Sequence, residues 1–476
     1  MEPGRIVPAA AAAVATAALA GTAPAQVAED AVQRVERRLR ELDAATRFEP
    51  DPAAPLAERT QWDCGGSLGF SAFAIDDAGS KAHILRQTDA RAWVRAELDG
   101  RHRFFGRLKL RYDDWNAGDD FDGQGDDLRE PVGERWWYEY AGADLRARLG
   151  KQQVEIGNGV ALSGPLVGAR MTLPRDGFEL MLLAADTPVN DFVDFDASRP
   201  SFDTNTRRRF LALAVEGRGG DVTPFAHVIR QADRNERDET TFIDGLGQTY
   251  AASFDYDSTY WGLGARGPLS AAASWRVEFD LETGEGLSSP ISGAGTPGPQ
   301  RREAILAWAL AGGASWSLGD AARSRIDAEL IAASGDDDRL DAADTFGGSR
   351  TGTTDRGWNG FGFLDTGLAL APDPSNLLTL RAGFETSPWR GDARMERLRA
   401  VGSAYLFAKL DPDAPINLPT LRERFVGGEI DLGLDWNVRP DLTLSARLGL
   451  FMPGAAMPDG EDGTRQVFFG GVTYAF

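Results

Sequence analysis

The sequence predicts an all-β chain: a transmembrane antiparallel β-barrel of about 18 strands (16–18), with a short N-terminal periplasmic helix. Three observations predict it. From about residue 64 onward, apolar and charged residues alternate with a period of two, so each strand carries one apolar and one charged face. Connections alternate between short turns and long loops that are acidic or rich in Gly and Pro. The chain closes on an alternating strand, Phe468, Val472, Tyr474 and Phe476, whose last residue is aromatic.

Residues 1–25 precede any of this. Arg5, the Ala/Val/Leu run Ala9 to Ala20, and the small-residue step Ala23-Pro24-Ala25 before Gln26 read as a secretory signal peptide. Residues 26–60 are the second unit. Ala28, Val32, Val35, Leu39 and Leu42 form a seam at heptad spacing, which predicts an amphipathic helix over 27–45 at the barrel mouth. Self-association through 27–45 is the sharper alternative. Pro50, Pro52 and Pro55 then break the helix into a linker. Residues 61–476 are the barrel.

The strands justify themselves in order. Asp89, Arg91, Arg95 and Glu97 alternate with Ala90, Ala92, Val94, Ala96 and Leu98, and Asp99-Gly100 is a tight-turn signal. Arg107, Lys109 and Arg111 oppose Leu108, Leu110 and Tyr112. Arg135, Trp137 and Glu139 alternate with aromatic neighbours, and Arg146 and Arg148 with Ala147 and Leu149. Arg276, Glu278, Asp280 and Glu282 oppose Trp275, Val277, Phe279 and Leu281. Arg325, Asp327 and Glu329 follow the same rule, as do Glu429, Asp431 and Asp435. A soluble sandwich would bury the apolar faces against each other. Strands on the order of ten residues fit a tilted membrane crossing instead. Strand-end aromatics (Trp136, Tyr138, Tyr140, Trp275, Trp436, Phe451) read as interfacial girdles, and residues 114–134, 283–300, 334–358 and 411–424 as the long external connections.

Composition excludes several functions. Lys+Arg total 51 and Asp+Glu 72, a net charge of −21, so no nucleic acid partner is expected. The single cysteine, Cys64, forms no internal disulfide and reads as a packing residue. Three dispersed histidines, His83, His102 and His227, give neither zinc-ligand spacing nor a triad, so no enzyme and no cofactor are expected.

The run Leu145-Arg146-Ala147-Arg148-Leu149-Gly150-Lys151-Gln152-Gln153-Val154-Glu155-Ile156-Gly157-Asn158-Gly159 resembles the strand-and-turn signature of alginate-export-type outer-membrane proteins. Lys151 and Asn158 stand where that signature has Arg and Asp. The segment from Trp358-Asn359-Gly360 through Asp365-Thr366-Gly367 to Trp389-Arg390 is similar to a later stretch of the same family. The resemblance implies an 18-stranded, Arg-lined barrel for passive export of an anionic exopolysaccharide. It assigns the basic positions Arg146, Arg148 and Lys151 to the anion track. The terminal Phe476 resembles the assembly signal of outer-membrane barrels, which implies the barrel-assembly machinery, outer-membrane lipid and a bacterial outer-membrane location.

The residues themselves extend that track. Arg91, Arg95, Arg107, Lys109 and Arg111 lie on charged strand faces near Arg146, Arg148 and Lys151, while acidic side chains dominate after residue 276. A basic wall opposite an acidic one would set a transverse field across the lumen. Guanidinium groups suit carboxylates because their fork matches both oxygens. The alternatives are a general or substrate-specific trimeric porin for small solutes, and a structural envelope tether acting through 27–45. One acidic, Gly-flexed segment holds Asp119, Asp120, Asp122 and Asp126, an oxygen-rich set that suits Ca²⁺ although its spacing is not that of an EF-hand. A solvated external loop is its other reading.

Overall fold

The computed structural model describes residues 61–76, 81–119, 127–188, 207–234, 240–243, 249–253, 255–290, 298–339, 348–392, 394–418 and 420–476. The expected signal peptide (1–25), the expected helix at 27–45 and the expected linker lie outside the described residues.

The wall begins with β1 (Gln61–Asp76), β2 (Ala82–Leu98), β3 (His102–Trp115), β4 (Asp127–Ala141) and β5 (Arg146–Glu155). It continues with β6 (Ser163–Arg175), β7 (Phe178–Asp186), β8 (Arg208–Gly217) and β9 (Thr223–Asp233). A separate small hairpin, β10 (Thr240–Ile243) and β11 (Thr249–Ala252), stands outside the wall. The wall resumes with β12 (Tyr256–Ser270), β13 (Ala273–Leu287), β14 (Arg302–Ser317), β15 (Arg325–Ala333) and β16 (Leu377–Thr386). It ends with β17 (Leu398–Lys409), β18 (Phe425–Arg439), β19 (Leu442–Pro453) and β20 (Arg465–Ala475). Each strand pairs antiparallel with its neighbours, β9 pairs with β12, and β1 pairs with β20, closing an 18-stranded barrel. Closure leaves no sheet edge, so the strands satisfy one another's backbone groups around the whole wall, as a lipid environment requires.

The alternation read from the sequence sorts the two faces. Leu108, Leu149, Leu263, Leu406 and Leu432 are exposed on the outside, where lipid replaces water. Their strand neighbours Arg107, Arg148, Gly264, Tyr405 and Asp431 turn inward. The C-terminal aromatics follow the outer face: Phe468, Tyr474 and Phe476 are exposed, while Phe469 is buried inside.

Three expectations fail in detail. Phe451 is not a girdle residue. It shares the inward face with Arg447 and lies fully buried against Phe407, ring centroids 6.3 Å apart. Cys64 does not pack; it lies among the outward positions of β1 and is exposed. The strands also reach further into the expected loops. β4 already starts at Asp127, where Arg129 meets Asp113 of β3 at 3.1 Å, and β13 runs to Leu287.

Candidate functional site

The barrel lumen is the site, and its two walls are built differently. On β2 to β5 the inward positions form an arginine-rich face. Four carboxylates on this face are each shared by two arginines. Glu97 meets Arg95 and Arg103, both at 3.5 Å. Glu134 meets Arg107 at 2.6 Å and Arg91 at 3.2 Å. Glu139 meets Arg148 at 2.5 Å and Arg103 at 3.6 Å. Asp113 meets Arg111 at 3.0 Å as well as Arg129.

Glu134 reaches this network through a local irregularity. The β3–β4 register steps from Arg107↔Arg135 to Leu108↔Gly133, so Glu134 has no opposite residue and turns inward. Sharing of acids leaves guanidinium edges open to the lumen: the side chains of Arg103 and Arg95 keep 33% and 27% exposure. Arg148 also stacks over the Trp137 ring at 4.4 Å, which fixes its plane.

The residues singled out in the sequence are therefore placed as follows. Arg95 and Arg148 join one ion-pair cluster on the inner face through Glu97, Arg103 and Glu139, Arg91 and Arg107 a second through Glu134, and Arg111 a third through Asp113, with Lys109 half-buried beside them. Arg146 is exposed at the start of β5. Lys151 is buried, and its Nζ donates to the Gly133 carbonyl at 2.9 Å, tying β5 to β4 just after Gly150, whose φ is 121°. Asp119 accepts from the Ile84 amide at 3.1 Å and lies 3.8 Å from Lys81. Asp120, Asp122 and Asp126 lie outside the described residues. Sequence reasoning missed Arg103, although it falls on the parity of Arg107 and Arg111, and Arg129, which fell within the expected loop 114–134 and is brought opposite Arg111 by the β3–β4 register.

The opposite wall is not an open acidic surface. Glu278, Asp280, Glu282 and Glu429 are all at most 1% exposed, because two connections fold inward over them. The first is the stretch 156–162 between β5 and β6. It crosses the lumen, and the Asn158 amide donates to Glu278 of β13. The second is the long connection between β15 and β16. Its residues Phe361 and Phe363 donate to the carbonyls of Ala161 (2.9 Å) and Gly159 (3.1 Å), and Ser163 donates back to Phe361 (2.9 Å). The two inward segments thus form a small parallel pairing inside the barrel.

Buried acids of the wall anchor this partition. Glu282 accepts from the Asn359 amide at 3.0 Å and from the Tyr256 hydroxyl at 2.7 Å. The Tyr260 hydroxyl donates to the Asn359 carbonyl. Arg339 pairs with Asp355 at 3.3 Å, and burial raises the Asp355 carboxyl to about 6 against that guanidinium. Glu429 accepts the amides of Leu368, Ala369 and Leu370 at 2.5, 2.8 and 2.8 Å. Around these anchors two apolar clusters fill the lumen, one with Leu162, Phe210, Trp358 and Phe361, the other with Leu368, Leu370, Tyr405 and Phe407. Below the first segment a cavity of about 390 Å³ remains, lined by Arg170, Arg266 and Arg276 with Glu155, Glu179 and Glu216.

A closed wall, apolar outside and charged inside, with its lumen narrowed by inward segments, defines an outer-membrane channel of the β-barrel class. The family model for alginate export matches residues 72–470, and the chain belongs to that family. No curated protein sequence matches it. Solved structures are similar in fold. OccAB3 of Acinetobacter baumannii aligns with a TM-score of 0.53 at 12% identity, over 87% of this chain and 99% of that one. The outer-membrane protein OprD of Pseudomonas aeruginosa aligns at 0.52 and 12% identity, over 87% and 93%. OccK11 (OpdR) of Pseudomonas aeruginosa aligns at 0.51 and 12% identity, over 87% and 96%.

Proposed function

We propose that this channel passes an anionic exopolysaccharide out of the cell by passive export, along the arginine face of β2 to β5. The observation that carries the reading is the sharing of carboxylates between arginines. It holds each guanidinium in place yet leaves Arg95, Arg103 and Arg148 partly exposed for a passing carboxylate. Several such sites in series, none saturated, favour both entry and exit. Family membership supports the same substrate class. Outer-membrane lipid and the barrel-assembly machinery are the partners this reading requires.

The test is the reversal potential of the protein in a planar bilayer under a KCl gradient, with and without polyuronate. Anion selectivity blocked by polyuronate is expected, weakened in Arg95→Gln and Arg148→Gln. Cation selectivity, or no block, would remove the export reading. A second reading, a porin for small solutes, is favoured by the paired inward segments, which narrow the lumen. It predicts permeation by monosaccharides or small acids without polymer block. A tether acting through 27–45 predicts that deleting those residues abolishes self-association or envelope attachment while conductance persists.

A further inference from the structure

We propose that His227, Glu278 and Asp280 form a divalent transition-metal site of the Zn²⁺ class, placed where segment 156–162 crosses the lumen. The sheet register builds it. Gly262 of β12 is opposite both His227 of β9 and Asp280 of β13. With no side chain between them, the imidazole and the carboxylate meet above the glycine, Nε2 to Oδ1 at 2.8 Å. A Cβ on Gly262 would strike the His227 ring and the Asp280 carboxylate. Glu278, two residues along the same face of β13, brings its Oε1 to 4.0 Å from Nε2.

Ligand atoms about 2.0–2.2 Å from a tetrahedral ion are separated by roughly 3.3–3.6 Å. The observed 2.8 and 4.0 Å bracket that spacing, so small side-chain adjustments suffice. The charge balance points the same way. All three side chains are fully buried. Oε1 of Glu278 and Oδ2 of Asp280 have no hydrogen-bond partner. Among the described residues no Lys or Arg lies within ion-pair distance of either carboxylate. Two neighbouring buried carboxylates, each with one unpartnered oxygen and no Lys or Arg beside it, are costly, and a divalent cation neutralises both. An imidazole in the set favours zinc-like ions over Ca²⁺ or Mg²⁺, which take oxygen ligands.

The cavity beside the site, lined by His227, Gly157 and Asn158, supplies the entry path. Because Glu278 also accepts the Asn158 amide, the ion would staple the inward segment to β13 and hold the constriction.

The experiment uses the full chain, stripped with EDTA in detergent micelles. Zn²⁺ per chain is counted after equilibrium dialysis, and Co²⁺ is titrated as a visible-absorption probe. One Zn²⁺ per chain and Co²⁺ ligand-field bands are expected. Binding should weaken at least about tenfold in His227→Ala and in the near-isosteric Asp280→Asn. No stoichiometric Zn²⁺ in the unmodified protein, absent Co²⁺ bands, or undiminished binding in both variants would overturn the site. The unmodified protein alone decides the matter if a variant fails to fold. Binding is read without a bilayer or a polymer, so its failure is distinct from failure of the export reading.

Discussion

Glu429 is the most incisive place to perturb the partition. Its carboxylate, on β18, accepts three consecutive amides of the β15–β16 connection and is 1% exposed. Hydrogen bonds to a charged group contribute about 1.5–3 kcal/mol each, and a buried amide left without an acceptor costs a further ~1–3 kcal/mol. These terms are not additive, and water entering the space left by Glu429→Ala recovers part of them. A net loss of ~3–5 kcal/mol for seating residues 366–372 is therefore expected, roughly 10²–10⁴-fold in the seated-to-released ratio. The effect stays local. Upstream, Asn359 remains held by Glu282. Downstream, the Asn376 side chain still donates to the carbonyls of Asp411, Ala414 and Pro415. Hydrogen exchange at the amides of Leu368, Ala369 and Leu370 is the assay. Protection should fall by that factor in Glu429→Ala and by about tenfold in Glu429→Gln, which keeps one accepting oxygen. Unchanged protection at those amides in a heat-modifiable, folded Glu429→Ala barrel would refute the anchoring argument.

Two further outcomes follow from the same geometry. Leu108→Arg places a charge at an outward, lipid-facing position in the middle of β3 and should destabilise the barrel by about 2–4 kcal/mol, read by denaturant-induced unfolding in lipid vesicles. Stability equal to the parent would mean that this face does not meet lipid. In Gly362→Ala, the new methyl group would press on the carbonyls of Gly159 and Val160, so the two inward segments should separate. Single-channel conductance should then rise; unchanged conductance would show that the pairing does not limit the pore.

The sequence made the barrel legible because a membrane wall imposes a period of two over long strands, and no tertiary contact can override that without burying charge in lipid. Arg107 and Leu108, or Glu278 and Phe279, are sorted by parity alone. Parity also carried the arginine face, although Arg103 was passed over beside Phe104 and Phe105. For Phe451 the aromatic side chain suggested a lipid-water interface, whereas parity pointed inward, and parity was right. The Glu134 network was hidden because a register step, not the residue pattern, turns that side chain into the lumen.

By itself, then, the sequence determined which residues face lipid and which face the lumen, because alternation is a local property of extended backbone. Only the tertiary structure decided what the lumen contains. The acids after residue 276 looked like an open wall, yet Glu282 and Glu429 are spent on backbone amides of inward segments. His227 and Asp280 are 53 residues apart in the chain and 2.8 Å apart in the fold. The physical reason is that strand register and barrel closure bring together residues that no local periodicity relates. The glycine at position 262 has meaning only once its two neighbouring strands are known.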